Sequence, residues 1–193
     1  MREVDFQRKT NETNINLKLN LDGSGKCNIS TKIPFFDHML NAFTKHSQFD
    51  LQLSVIGDIE IDYHHTIEDT GIALGEAFRM ALGEKRGIYR FGEATLPLDE
   101  ALSRVVLDIS GRSYLFFGVV FMRCDDGSNI NPYLFEEFFR GFANASQMTL
   151  HIDSIRGNNS HHVIESIFKA FAKAIQKAIK IDGNEIPSTK GVL

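Results

Sequence analysis

A repeated motif constrains this chain more than any other feature. His64-His65-Thr-Ile-Glu68 and His161-His162-Val-Ile-Glu165 carry the same His-His-x-x-Glu pattern, and each of the three polar positions lies 97 residues from its counterpart. Four of the 7 histidines are used in this way, which scattered surface histidines do not readily produce. The flanking sequence repeats too. Pro34 and Pro132 stand 98 apart, and each opens an aromatic-rich run with apolar residues at spacings of three and four. Proline at a first helical position and that spacing predict a helix in each half. Alternating strands follow, at residues 49–55 and 148–153, and then a second helix with the histidine pair at its start. Upstream, residues 14–20 alternate apolar with polar and end at the turn Asp22-Gly23-Ser24-Gly25. Residues 102–109 and 114–121 are the matching strands of the second half, separated by Ser110-Gly111-Arg112-Ser113.

Each half therefore reads as two or three strands, a helix, one more strand and a helix. Two helices can cover only one face of a sheet, so the expected class is α+β with internally duplicated βββαβα-like halves, mainly antiparallel sheets and helices on one face. The expected organisation is a single domain of two repeats, about 1–90 and 91–193, because the link from Leu82-Gly83-Glu84 to Gly92 is short and charged, with no low-complexity character. The bare face of each sheet must meet solvent or another chain.

Composition narrows the function classes. The 42% hydrophobic content is enough to fill a core. With 21 Lys+Arg against 25 Asp+Glu, no global positive field gathers nucleic acid or an anionic membrane, so a bound anion must meet local cations. No apolar run approaches the roughly 20 residues of a membrane span. The opening Met1-Arg2-Glu3-Val4-Asp5 is acidic where a signal peptide is basic and apolar, and the expected location is cytoplasmic. Cys27 and Cys124 stand apart without CxxC spacing, which argues against a disulfide framework or a thiolate metal site.

On a helix, Glu68 can join either His64 or His65, but adjacent residues diverge by about 100° and do not aim at one point. Two metal ions that divide each pair between them are the economical solution. Imidazole and carboxylate without thiolate suit a first-row ion such as Mn, Fe, Ni or Zn better than Ca or Mg. His38, on the helix before the first motif, and His151, on the strand before the second, fit the same scheme. His46, near the end of its helix, suits the negative end of the helix dipole and is left out of the ligand set. His-Glu-x-x-His, Gly-x-Ser-x-Gly, a Walker loop and a dinucleotide-binding glycine pattern are absent from the sequence. Ser188, Thr189 and Lys190 make a phosphate clamp if the C-terminal tail folds back. A dinuclear metallohydrolase and a non-catalytic, metal-assembled shell are both compatible with these donors.

In order along the chain, Thr10-Asn-Glu12-Thr, Pro34-Phe-Phe-Asp-His38-Met-Leu, Asp62-Tyr-His-His-Thr-Ile-Glu68-Asp69, Pro97-Leu-Asp-Glu100-Ala, Ser110-Gly-Arg112, His161-His-x-x-Glu165 with Phe168-Lys-Ala-Phe, and Ser188-Thr-Lys-Gly-Val resemble the imidazoleglycerol-phosphate dehydratase family of histidine biosynthesis. Tyr63, Phe36 and Asn129-Ile-Asn-Pro132 depart from the family pattern without removing a ligand. The resemblance implies a duplicated α+β fold, two Mn2+ ions per subunit, and a homo-oligomeric shell of twenty-four chains with sites between subunits. It also implies loss of water from a small phosphorylated substrate, imidazoleglycerol phosphate, to give imidazoleacetol phosphate. The hydrogen removed sits on an unactivated carbon, and a metal on the substrate's imidazole would ease departure of the neighbouring hydroxyl. By the same resemblance Glu12 is the acid/base and a substrate contact. Arg90, Arg112, Lys169, Ser188, Thr189 and Lys190 are substrate- and phosphate-binding, and the metal ligands are His38, His64, His65, Glu68, His151, His161, His162 and Glu165.

Overall fold

The computed structural model describes residues 2–122 and 130–193. Each half runs strand, strand, strand, helix, strand, helix. The first comprises β1 (Glu3–Lys9), β2 (Thr13–Asn20), β3 (Cys27–Ser30), α1 (Pro34–Ser47), β4 (Asp50–Gly57) and α2 (His64–Leu82). The second comprises β5 (Phe91–Leu98), β6 (Ala101–Asp108), β7 (Tyr114–Gly118), α3 (Leu134–Ser146), β8 (Thr149–Arg156) and α4 (Ser160–Ala178). The sheet orders are β1-β2-β4-β3 and β5-β6-β8-β7. In both sheets two antiparallel pairs are joined by one parallel pair at the edge, with Ile15 opposite Val55 in one and Val105 opposite Ile152 in the other. The duplicated α+β class follows directly.

Alternation explains the layering. Ile15, Leu17 and Leu19 of β2 are buried while Asn16 and Lys18 are exposed, so the period of two places every apolar side chain on the helix side. The helices of the two halves then pack on each other across the middle, α2 on α3 and α1 on α4, between the sheets. Their contact is rich in phenylalanine. Phe36, Phe135, Phe138, Phe139, Phe142, Phe168 and Phe171 are each at most 2% exposed, and neighbouring rings meet edge-on or tilted. One continuous core results, and among the described residues no helix covers the outer face of either sheet.

Several local expectations shift. Pro34 does occupy the first turn of α1. Pro132 does not open α3: it lies in a turn in which its carbonyl accepts from Phe135 N (3.2 Å), and the helix begins at Leu134. Strand β7 stops at Gly118 instead of running to residue 121, and β6 and β7 are not neighbours, since β8 lies between them. Both strands that open a half, β1 and β5, pass unnoticed in the sequence because each is an edge strand exposed on one face, and β5 also contains Gly92 and Pro97. Cys27 is free and exposed, its thiol donating to Asn41 Oδ1 (2.8 Å); Cys124 and Asn129 lie outside the described residues.

Candidate metal and active site

Both histidine pairs occupy the first turn of a long helix, where backbone N–H groups have no helical partner. Asp62 Oδ1 accepts from His64 N (2.7 Å), and Asn159 Oδ1 accepts from His161 N (2.9 Å) and His162 N (3.4 Å). Capped in this way, the pairs splay alike, with ring centroids 5.9 Å apart in each and interplanar angles of 85° and 82°. The divergence expected of adjacent helical residues is therefore realised twice.

The second member of each pair is oriented by a carboxylate. His65 Nδ1 lies 2.9 Å from Asp58 Oδ2, and His162 Nδ1 lies 2.7 Å from Glu100 Oε2. A carboxylate on Nδ1 leaves Nε2 as the free ligand atom and sets the ring angle, as around many metal-bound imidazoles. The electrostatics follow the contacts. Hydrogen bonding to Asp58, helped by the Glu12 charge, pushes His65 up, while the hydrogen bond with His162 lowers Glu100 to about 2. Neither Asp58 nor Glu100 carries a predicted role, although Glu100 stands in a recognisable motif. A turn acid becomes informative only once the fold sets it beside a histidine.

The first and last helices complete a cluster. His38 Nε2 of α1 and His161 Nε2 of α4 each lie 3.2 Å from Glu165 Oε2, and one ligand atom from each of the three residues falls within 4.8 Å of the others. Burial opposes ionisation of Glu165, but Lys169 Nζ at 2.7 Å and His38 outweigh it and hold the carboxyl below its usual range. Two imidazole nitrogens and a carboxylate match the donor set of a first-row divalent ion. Among the described residues no other group of three meets that distance test. His64 Nε2 is 3.5 Å from Glu68 Oε2, and His65 Nε2 is 3.7 Å from Glu12 Oε1, so the first motif forms an open half-site beside Glu12. His151 stays on the outer face of its sheet, ringed by Tyr114 and Phe116 with centroids 5.6 and 5.7 Å away, apart from both motifs within a single chain. Burial, with the neighbouring Lys169 and Lys173, pushes the pKa of His46 down and so opposes the preference of the helix terminus for its charged form.

The profile of imidazoleglycerol-phosphate dehydratase matches residues 31–175. The imidazoleglycerol-phosphate dehydratase of Gluconacetobacter diazotrophicus is 53% identical over 195 aligned residues, covering 100% of this chain and 98% of that protein. The chain belongs to the imidazoleglycerol-phosphate dehydratase family. That membership makes it a hydro-lyase. The crystal structure of the dehydratase from Staphylococcus aureus superposes with a TM-score of 0.83 at 38% identity, covering 93% of this chain and 99% of that one. The crystal structure of the Pyrococcus furiosus family member gives 0.84 at 36% identity, with 97% and 100% covered.

Of the remaining positions that the family resemblance marks, Arg90, Arg112 and the tail residues lie at one end of the second sheet, whereas Lys169 stands on α4 beside Glu165. The tail folds back: Ile181 bridges Ile88, Gly87 N donates to Glu185 O (2.8 Å), and Arg90 Nη1 donates to Pro187 O (2.9 Å). The backbone of Leu193 lies against Gly111, where a Cβ would come within 2.9 Å of the Leu193 carbonyl carbon. Ser188, Thr189 and Lys190 are thus bracketed between the Arg90 and Gly111 contacts. Arg90 is itself engaged by Asp108 (2.7 and 3.0 Å) and serves as an anchor for the tail, whereas Arg112 is exposed and its guanidinium has no carboxylate partner among the described residues. Lys169 is committed to Glu165. No helix of the described residues is long and apolar enough to cross a membrane.

Proposed function

We propose that this chain removes water from imidazoleglycerol phosphate to give imidazoleacetol phosphate in histidine biosynthesis, as a cytoplasmic, Mn2+-dependent homo-oligomer. The observation that carries the reading is the convergence of His38, His161 and Glu165, together with the matching carboxylate-oriented histidines His65 and His162. His38, His161 and Glu165 would hold one ion; His64, His65, Glu68, His162 and His151 supply ligands that a single chain leaves dispersed and that neighbouring chains of a twenty-four-subunit shell bring together. When bound, the metal would polarise the substrate's imidazole and ease loss of the adjacent hydroxyl.

The chain's own residues do the rest. Glu12, half exposed and 3.7 Å from His65, is the acid/base that takes the carbon-bound proton. The open position of Arg112 and the folded-back segment Ser188-Thr189-Lys190 supply the local cations that a net charge of −4 otherwise denies a phosphate. Arg90 holds that segment in place, and Lys169 keeps Glu165 ionised as a ligand.

The test pairs turnover with one substitution. Purified protein loaded with Mn2+ is expected to dehydrate imidazoleglycerol phosphate and to leave generic phosphoesters untouched. Glu12→Gln should retain metal and substrate affinity while kcat falls by about 10²–10⁴-fold, the usual contribution of general acid–base catalysis. Phosphoester hydrolysis without dehydration would replace the reading with a metallohydrolase, and tight metal binding without any turnover would make the protein a shell.

A further inference from the structure

We infer that Asp69 is a positioning residue for Glu12, acting through a one-way chain of two threonine hydroxyls. The inference rests on the acid/base role proposed for Glu12. Asp69 follows the first motif on α2, one turn beyond His65, and is only 7% exposed, with its carboxylate engaged by β1 and β2. Arg8 Nη1 lies 2.8 Å from Asp69 Oδ2, and the same oxygen receives the hydroxyl of Thr13.

Hydrogen-bond accounting then fixes every proton. The Arg8-paired carboxylate is an acceptor, so Thr13 Oγ1 is the donor to it, and a hydroxyl has one proton to give. The 3.2 Å contact between the Thr10 and Thr13 hydroxyls must accordingly run from Thr10 to Thr13. With its own proton used, Thr10 Oγ1 has two lone pairs left, and two backbone donors reach it: Glu12 N at 3.1 Å and Thr13 N at 2.9 Å. The series Glu12 N–H, Thr10 hydroxyl, Thr13 hydroxyl, Asp69 carboxylate is polarised in a single direction, an arrangement in which each bond strengthens the next. The carbonyl of Glu12 is fastened as well, accepting from Asp58 N (3.2 Å), and Asp58 is the residue that orients His65. The backbone of Glu12 is thus tied on both sides, to the Asp69 chain and to the residue that orients His65, while its half-exposed carboxylate lies beside His65.

The internal repeat separates this device from what the fold requires. Ser166 is the counterpart of Asp69, 97 residues on, and Ser103 stands to Val105 as Thr13 stands to Ile15. There the two buried serine hydroxyls simply meet each other at 2.7 Å. A neutral pair therefore suffices to pack this helix on this strand, and the charged version occurs in the half that carries Glu12.

Three variants and two readouts test the inference. Thr13→Val and Asp69→Ser, the latter copying the second half, should lower kcat by about 10–100-fold through misplacement of Glu12. KM and metal content should stay near wild type, and hydrogen exchange of the Glu12 amide should accelerate. Thr13→Ser, which keeps the hydroxyl, should restore both readouts. Wild-type kcat in Thr13→Val and Asp69→Ser, in a protein that Glu12→Gln inactivates, would overturn the relay and leave the role of Glu12 standing. If Glu12→Gln is itself active, the acid/base reading fails separately, and an undisturbed Glu12 amide in Thr13→Val would then overturn the relay. Should the buried variants not fold, Thr10→Val against Thr10→Ser, at the half-buried start of the turn, poses the same contrast.

Discussion

Arg90 and Arg112 show how far two equal charges can differ in role. The first is half-buried, bidentate to Asp108 and bonded to the tail backbone; the second is exposed and has no carboxylate partner among the described residues. Replacing Arg112 or Lys190 with alanine should raise KM by about 10–150-fold, the loss of a charge-assisted bond of about 1.5–3 kcal/mol, with metal content unchanged. Arg90→Ala should raise KM and also release the tail, detectable as faster proteolysis after residue 187. Steady-state kinetics on the three variants, with elemental analysis of each, checks the distinction. A wild-type KM in both Arg112→Ala and Lys190→Ala would remove the tail from the site.

At the scale of elements, the histidine pairs are only as well placed as the helices that start with them. Helix α2 crosses α3 at very close range: a Cβ on Gly71 would sit 2.2 Å from the carbonyl oxygen of Phe138, and one on Gly75 would sit 2.6 Å from that of Phe142. At an exposed helical position Gly→Ala stabilises by up to about 1 kcal/mol. Here the obstacle is backbone, which cannot rotate aside, and Gly71→Ala should instead destabilise by about 1–3 kcal/mol as the helices are forced apart. Denaturant unfolding of the metal-free protein measures the sign directly. Gly183→Ala, with open space around the added methyl, is the control expected to change little.

For the whole molecule, the decisive fact is the incompleteness of the first motif within one chain. His64, His65 and Glu68 form no closed cluster, and His151 lies on an outer sheet face beside exposed Tyr114 and Phe116. In the proposed assembly, metal bound between chains would contribute to association as well as to catalysis. Chelation is therefore expected to shrink the particle to a smaller oligomer, and added Mn2+ to restore it, in sedimentation velocity runs. An unchanged sedimentation coefficient after complete metal removal would show that the sheet faces alone hold the assembly.

The histidine repeat was legible without coordinates because helical geometry is local: His64 and Glu68, or His161 and Glu165, share a face by spacing alone. The duplicated strand and helix pattern was legible for the same reason, since apolar periods of two and 3.6 report burial directly. Edge strands β1 and β5 escaped because one of their faces meets solvent and the period is diluted. Tertiary structure decided everything that joins distant segments. The helices pack crosswise between halves, α1 on α4, so His38 meets Glu165 across 127 residues of sequence, the longest step in the His38–His161–Glu165 cluster. The turn acids Asp58 and Glu100, the folded-back tail and the Thr10–Thr13–Asp69 chain became visible in the same way, because a hydrogen bond depends on where two atoms end up and sequence spacing constrains that only within a single element.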